Sequence, residues 1–235
     1  MAGITNKVWQ QPDFTASRYG HDMSLRLFML QISLWTAVGI AFSAVLAYYA
    51  QGINLKAAGL WPTIGFMLGL FLVSLVGIWI ANSSDSPVIS LLGFALVSGA
   101  FGIMLGPVVA MYTTASIVRV FALTTLVVVG LGLIGALIPD DLSSWGRPLL
   151  GALLLLIVGM VGTSVLGAFG LPVGGAMTVL DWVGLVIFGG LVIFDLNRAA
   201  RLPRTANNAI DVAVGIYLDF INIFIRLLSL FGERK

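Results

Sequence analysis

Residues 208–231 read NAIDVAVGIYLDFINIFIRLLSLF, an apolar segment long enough to cross a bilayer yet interrupted by charged and polar residues. Six residues recur in it at spacings of four, four, three, four and three, namely Asp211, Gly215, Asp219, Asn222, Arg226 and Ser229. At about 100° per residue, all six fall within roughly an 80° arc of one helix. A charged side chain at bilayer depth costs at least about 2.5 kcal/mol, so it persists where it faces a protein interior or a water-filled path. The stripe therefore predicts where the functional site lies.

The overall composition indicates the class of protein. Hydrophobic residues make up 59% of the 235-residue chain and charged residues only 9%, against about 25% charged residues in a soluble domain. The mean hydropathy is +1.06. Because so few charges cannot cover the exterior of a soluble fold, we predict an integral membrane protein surrounded by membrane lipid. The 28 glycines agree with this, since glycine is frequent in membrane helices.

The residues that the chain lacks exclude several kinds of chemistry. There is no cysteine, which excludes disulfides, iron–sulfur clusters and thiol catalysis. The one histidine, His21, cannot form a zinc site of the usual kind. A net charge of +2, without a basic cluster interleaved with aromatic residues, argues against nucleic acid as a partner. We therefore expect no permanently bound cofactor.

Seven apolar runs predict seven membrane-spanning helices. Each run reaches the roughly 20 residues needed to cross the hydrocarbon layer. Turn residues or charges separate the runs, and the weakest break is Tyr112-Thr113-Thr114. The predicted helices are 25–50, 59–82, 88–112, 116–138, 147–170, 176–202 and 208–231, which form an all-α polytopic domain over 25–235. Residues 1–24 are polar, have no cleavable signal pattern and are predicted to form a flexible cytoplasmic tail.

The distribution of basic residues predicts the orientation in the membrane. If the N-terminus is cytoplasmic, the inner side carries seven basic residues and the outer side five. The inner set is Lys7, Arg18, Arg26, Arg147, Arg198, Arg201 and Arg204, and the outer set is Lys56, Arg119, Arg226, Arg234 and Lys235. We therefore predict a cytoplasmic N-terminus. A seventh segment that spans the membrane puts the C-terminus outside, whereas a re-entrant segment returns it to the cytoplasm.

A second acid at membrane depth lies near the end of the sixth predicted helix. Asp195 follows an apolar run, and Pro203 eight residues later is expected to end the helix. Because the sixth and seventh helices are consecutive and antiparallel, Asp195 and Asp219 can lie at similar depth. We expect their carboxyl groups within hydrogen-bond reach, or one water apart, in a protonated closed state. The alternative is two structural acids that are hydrogen-bonded separately.

Four short motifs resemble the Bax inhibitor-1 family, in its bacterial branch. They occur in the family's order over roughly 25–233 and are Tyr112-Thr113-Thr114-Ala115-Ser116-Ile117, Asp141-Leu142-Ser143-Ser144-Trp145-Gly146, Phe194-Asp195 and Tyr217-Leu218-Asp219-Phe220-Ile221-Asn222-Ile223-Phe224. The resemblance implies a seven-helix bundle in a bacterial inner membrane, with the last helix at the centre of the other six. It also implies a pH-controlled calcium leak in which Asp195 and Asp219 share protons.

One element of the family pattern is missing. Some members have an arginine in the second helix that holds one acid in the closed state, whereas 59–82 contains no basic residue. Arg226 lies on the same helix face as Asp219, and we expect it to substitute by neutralising part of the field of the acids. Along the stripe, Asp211, Asn222 and Arg226 are candidates for a pore or gate.

The aspartate pair suggests how such a leak would respond to pH. Two nearby carboxylates in a low-dielectric site cannot both ionise freely, so protonation removes their repulsion and favours a closed packing. Deprotonation would separate the helices and leave oxygen ligands for calcium. Asp195 and Asp219 alone would make a weak, transient metal site, which suits a leak better than a calcium store.

Two other functions are compatible with these residues. One is a non-conducting regulator that binds another membrane protein, since the bacterial branch includes members resembling a modulator of a membrane-bound protease. The other is an intramembrane aspartyl protease, but the Gly-x-Gly-Asp context usual for its second acid is missing at Tyr217-Leu218-Asp219. We therefore expect no enzymatic activity and no catalytic residue.

For Asp181, the simpler interpretation is an interfacial acid near a helix N-terminus, favoured by the helix dipole.

Overall fold

The computed structural model describes residues 23–235, apart from the side chains of residues 55, 56 and 60. The α-helices of this part of the chain are α1 (Leu25–Ala50), α2 (Leu55–Ala58), α3 (Leu60–Ser83), α4 (Pro87–Val109), α5 (Thr114–Leu137), α6 (Gly146–Ala168), α7 (Gly174–Ala199) and α8 (Ala206–Phe231). A short 3-10 helix over Leu142–Trp145 precedes α6. The tail predicted over residues 1–24 lies outside the described residues as far as residue 22.

Within residues 23–235, seven helices are long and apolar enough to cross a membrane. They coincide with the seven predicted spans, so the all-α polytopic membrane class is confirmed; the sixth predicted span is α7 and the seventh is α8. Polar caps fix several helix starts, because Ser24, Thr113 and Thr205 each accept a hydrogen bond from the backbone N–H three residues later. Large apolar side chains such as Leu137 and Phe169 are 80% and 81% exposed, as expected of a surface that lipid covers.

Two helices, α4 and α7, end three residues before their predicted C-terminal boundaries, and the end of α7 is the one next to the site. This helix is predicted to continue to residue 202 but ends at Ala199. The N–H groups of Arg201 and Leu202 donate to carbonyls three residues back, as in a tight final turn. Pro203 accounts for the early end, because a proline disfavours helical backbone at the residue before it.

The helix α8 is more enclosed than the other long helices. Fourteen of its 26 residues are buried, whereas in α6 only Leu156 is buried. It packs against α1, α3, α4, α5 and α7, and its Arg226 side chain reaches Met160 of α6. A complete ring of six helices around α8, which the family resemblance implies, stays a prediction.

Two sets of contacts mark the ends of the bundle, which we call the N-side end, where α1 begins, and the C-side end, where α8 ends. At the N-side end, the Met23 N–H donates to the carbonyl of Arg204 at 3.1 Å. At the C-side end, the Thr113 N–H donates to the carbonyl of Glu233 at 3.0 Å, and Arg119 pairs with the carboxylate of Glu233 at 2.8 Å. The N-side end is the one predicted to face the cytoplasm.

Candidate functional site

The polar stripe of α8 meets a matching face of α7, and this line of contact is the α7–α8 seam (residues 181–199 and 211–229). Its antiparallel register is fixed by three contacts, which join Asp195 to Gly215, Gly184 to Arg226, and Asp181 to Ser229. In each contact the two residue numbers add up to 410, so the register is constant along the seam. Each residue of α8 from Asp211 onwards is therefore level with a known residue of α7.

A cavity of about 450 Å³ occupies the N-side half of the seam. Its polar lining comes from α3, α7 and α8 and consists of Asn82, Asp195, Arg198, Asn208 and Asp211. The carboxylate of Asp195 rests directly on the backbone of α8, because a methyl group added to Gly215 would lie 2.6 Å from Asp195 Oδ2. Only the missing side chain at Gly215 leaves room for this contact.

Asp211 lines this cavity and also a second one at the N-side surface. The second cavity has a volume of about 730 Å³ and extends to the loop residues Ser84 and Asp85. Asp211 Oδ2 accepts a hydrogen bond from Asn207 Nδ2 at 3.3 Å, whereas Oδ1 has no partner among the described residues. The positive charge of Arg198 acts on both Asp195 and Asp211 and partly offsets these two acids. A cation entering from this end would therefore meet carboxylates in succession.

Asp219 lies deeper than this cavity. The register puts Asp219 level with Leu191, which is one helical turn, or roughly 6 Å, from Asp195 towards the C-side end. The residue is 4% exposed, and its Oδ2 has no hydrogen-bond partner among the described residues. No hydrogen bond joins Asp195 and Asp219 in the described part of the chain, but their charges repel each other. The expected proton-sharing contact stays a prediction for the protonated state, and the one-turn offset explains why it is not formed here.

The C-side half of the seam contains a buried arginine, Arg226, together with one buried acid, Asp181. Arg226 is 4% exposed; its NH1 donates to the carbonyl of Asn222 at 3.3 Å and its NH2 to the sulfur of Met160 at 3.2 Å. The guanidinium carbon lies 4.8 Å from the centroid of the Phe188 ring, a cation–π contact. A methyl group on Gly184 would collide with Arg226 Nε, and this nitrogen has no hydrogen-bond partner among the described residues. Gly184 thus forms a notch that seats the arginine.

The position of Arg226 differs from what we expect from the sequence. Its charge interacts with Asp181 rather than with the Asp195–Asp219 pair, and Phe188 lies between it and the level of Asp219. It forms no ion pair within 4.0 Å in residues 23–235, where the ion pair found is Arg119–Glu233. The reason is the spacing along the chain together with the register: Arg226 lies seven residues, almost two turns, beyond Asp219 on α8, and it is level with Gly184 rather than with Asp195.

Asp181 is not the interfacial acid of the simpler interpretation. It lies seven residues into α7, is 7% exposed, and accepts a hydrogen bond from the Ser229 hydroxyl at 2.7 Å. The last residue of the polar stripe thus finds its partner on the matching face of α7. The dipole argument fails because Asp181 is beyond the first turn of the helix.

Two residues that shape the site were not singled out from the sequence. Asn197 is 1% exposed, and its Nδ2 donates to the carbonyls of residues 135, 138 and 140 at 3.1–3.2 Å. Its Oδ1 accepts from the Leu142 N–H at 3.1 Å and from Arg201 NH1 at 2.7 Å, so the end of α7 is tied to the loop before α6. The second residue is Arg198 in the N-side cavity. The run Asp195-Leu196-Asn197-Arg198, three polar residues ending an apolar helix, is the signal that could have indicated both.

The fold and the site define a class: a polytopic all-α membrane protein with a polar seam between its last two spans, in which Asp195, Asp211 and Asp219 lie towards the N-side end and Arg226 lies towards the C-side end. The chain belongs to the Bax inhibitor-1 family, because the family model described as "Inhibitor of apoptosis-promoting Bax1" matches residues 25–235. The resemblance seen in the four sequence motifs is thereby confirmed.

Bacterial relatives match nearly the whole chain. The inner membrane protein YbhL of Escherichia coli (strain K12) is 28% identical over 223 residues, which cover 90% of this chain and 93% of YbhL. An uncharacterized protein of Deinococcus radiodurans is 27% identical over 223 residues, covering 89% of this chain and 92% of its own. An uncharacterized membrane protein of Streptococcus pyogenes serotype M1 is 26% identical over 228 residues, covering 91% and 95%. This chain is therefore similar to these proteins from end to end of the membrane domain.

Proposed function

We propose that this protein is a pH-sensitive calcium leak channel of the bacterial inner membrane, with the N-side end in the cytoplasm. One observation carries the proposal: two acid-lined cavities that share Asp211 extend from the N-side loops to Asp195, and a further buried acid, Asp219, lies one turn beyond it. A buried carboxylate with an unpartnered oxygen is costly in a membrane span and is retained where it serves an ion or proton. The inner-membrane location is supported by the name of the similar YbhL protein.

The proposed gating step uses the repulsion between Asp195 and Asp219. At low pH the pair holds a proton, the helices stay packed, and Asp219 remains sealed from the cavity. As the pH rises, both carboxylates ionise and repel each other, so α7 and α8 separate at this level and present oxygen ligands to calcium. Asp211 and Arg198 also face Asp195 across the cavity, and their charges modulate this step without initiating it. The proposal includes no enzymatic reaction and no permanently bound cofactor.

Calcium flux from purified protein tests this function. The protein is reconstituted in liposomes that contain a calcium-sensitive dye, and flux is measured across a pH series. We expect wild-type flux to rise with pH, and Asp195→Asn and Asp219→Asn each to flatten this dependence because the titrating pair is lost. Asp140→Asn is the matched control, since Asp140 is an exposed residue in the loop before α6 and is not among the residues that line these cavities.

Two results would contradict the proposal. An unchanged pH profile in both seam variants would remove the aspartate pair as the sensor. Absence of calcium flux from wild-type protein at every pH would show that the protein is not a channel.

One observation favours a non-conducting regulator instead. The N-side cavity is lined by Leu218 but not by Asp219, so the deepest acid is not exposed to it. That second function, binding to another membrane protein, predicts stable co-purification with a membrane partner and no flux.

A further inference from the structure

In the C-side half of the seam, a buried arginine lies on the route by which a cation would have to leave the protein. From the register, the α8 residues beyond Asp219 on this face are Asn222, Arg226 and Ser229, opposite the Phe188, Gly184 and Asp181 levels of α7. Asn222 donates to the Leu218 carbonyl at 2.8 Å, and the Ser229 hydroxyl is taken by Asp181. Arg226 is thus the one full positive charge on this route within the described residues.

The seat of Arg226 is shaped to hold a side chain that can also leave it. The chain at Gly184 has no Cβ, and this is what admits Nε and Cδ of the arginine. The contacts that hold the guanidinium are weak ones: a backbone carbonyl at 3.3 Å, the amide oxygen of Asn222 at 3.5 Å, a thioether sulfur and the Phe188 ring. No carboxylate within ion-pair distance fixes it in residues 23–235. A buried cation with an unpaired Nε and no close acid is costly as a purely structural element.

We propose that Arg226, seated in the notch of Gly184, is a cationic barrier that closes the C-side half of the seam and limits cation passage. The inference rests on the proposed calcium leak. While the guanidinium is in its seat, its charge in a low-dielectric site repels a divalent cation that has reached Asp219. Passage requires the side chain to leave the notch. Asp181, three residues before Gly184 in α7 and nearer the C-side end, is the carboxylate whose negative charge acts on Arg226.

Calcium flux from Arg226 variants tests the barrier. Arg226→Met replaces the arginine with an unbranched side chain that has no charge. We therefore expect calcium flux at neutral pH to be about tenfold higher than in wild type. The pH dependence should persist, because Asp195 and Asp219 are untouched. Arg226→Lys keeps a positive charge and should stay close to wild type. A flux from Arg226→Met equal to that of wild type would overturn the barrier while leaving the leak in place.

A second measurement keeps the inference testable without flux. Because the chain contains no cysteine, Asn222→Cys introduces a single thiol, one turn from Arg226 on the side of Asp219. The rate at which this thiol reacts with a membrane-impermeant thiol reagent can be measured in detergent micelles. Combining this substitution with Arg226→Met, or with Gly184→Ala to displace the arginine, should raise the reaction rate by about tenfold. Gly130→Ala is the control, since nothing lies within 4 Å of the added methyl group.

The two measurements separate failure of the barrier from failure of the channel. Unchanged thiol reactivity in both the Arg226→Met and the Gly184→Ala backgrounds would show that Arg226 does not seal the seam and would overturn the inference. Absence of flux from wild type and Arg226→Met alike would overturn the leak, and with it the role of Arg226 in limiting cations. Increased reactivity together with increased flux would support the barrier.

Discussion

The two halves of the α7–α8 seam are built from the same pair of helices at one register but differ in charge and in space. The N-side half contains cavities of about 450 and 730 Å³ lined by Asp195, Asp211 and several amides. The C-side half holds the buried Arg226, packed on Gly184, Phe188 and Met160. Asp219 lies at the boundary between them. Most acids of the seam thus lie towards one end, and the buried arginine lies towards the other.

This difference shows how a single polar stripe can serve two purposes. If the acids and the arginine had been placed at the same level, they would neutralise each other in a buried salt bridge and leave a closed structural contact. Two features prevent this: Arg226 is seven residues, nearly two turns, from Asp219 on α8, and the register places it level with Gly184, eleven residues from Asp195 on α7. In the proposed leak, this separation would place the acid-lined entrance and the Arg226 barrier one after the other along the seam.

The largest effect that we predict tests how firmly the N-side half is anchored. Asn197→Ala removes a 1%-exposed side chain that makes five hydrogen bonds: three from Nδ2 to carbonyls, and two accepted by Oδ1. Because the Gly135 carbonyl and the Leu142 N–H would be left buried and without this partner, we expect a loss of about 3 kcal/mol in stability. Thermal unfolding in detergent measures this.

The matched C-side variant is Ser229→Ala. It removes one hydrogen bond, to Asp181, from an exposed serine, so the expected loss is at most about 1 kcal/mol. If Asn197→Ala unfolds at the same temperature as Ser229→Ala, the N-side half is not the anchored one, and this part of the comparison is wrong.

The helices and the acids could be predicted from the sequence because both depend on local pattern. Apolar runs of about 20 residues define spans directly. An aspartate inside such a run, as at Asp195 and Asp219, stands out whatever its neighbours are. The face of α8 that carries the stripe follows from the helical period alone.

The partners of these residues could not be predicted, because they depend on how two helices slide along each other. A shift of one turn decides whether Asp195 meets Asp219 or, as found, Gly215. The role of Arg226 follows from the same register. Asn197 lies two residues after Asp195, and therefore on nearly the opposite side of α7. Its amide nitrogen donates to carbonyls at the end of α5 and in the segment that follows, which no spacing in the sequence indicates.

A smaller effect is predicted for Gly215→Ala, which tests whether the contact of Asp195 with α8 matters for the pH response. The new methyl group would lie 2.6 Å from Asp195 Oδ2, so the carboxylate must move away from α8 and from Asp219. We expect a loss of about 1–2 kcal/mol and a less steep dependence of calcium flux on pH. Gly130→Ala, facing open space on α5, is the control. Superimposable flux–pH curves for Gly215→Ala and wild type would remove this contact from the sensor.

The smallest predicted effect separates the pH response of the seam from that of the N-side surface. Asp141 is exposed in the loop before α6, and its carboxylate accepts hydrogen bonds from the Ser143 hydroxyl at 2.6 Å and the Ser143 N–H at 2.9 Å. These bonds lower the pKa of Asp141 below its usual value. The ionised form is therefore stabilised by folding, and this contribution is lost as the pH falls through the lowered pKa.

Asp141→Asn keeps a capping side chain but removes the charge, so we expect the melting temperature at neutral pH to fall by no more than about 1 °C. The difference from wild type should vanish at strongly acidic pH, where Asp141 itself is protonated. The sign is opposite to that proposed for the seam, where protonation favours the closed packing. Calcium flux from Asp141→Asn should accordingly follow the wild-type pH profile. A shifted flux profile in this variant would mean that the loop, and not the buried acids alone, sets the pH response of the N-side half.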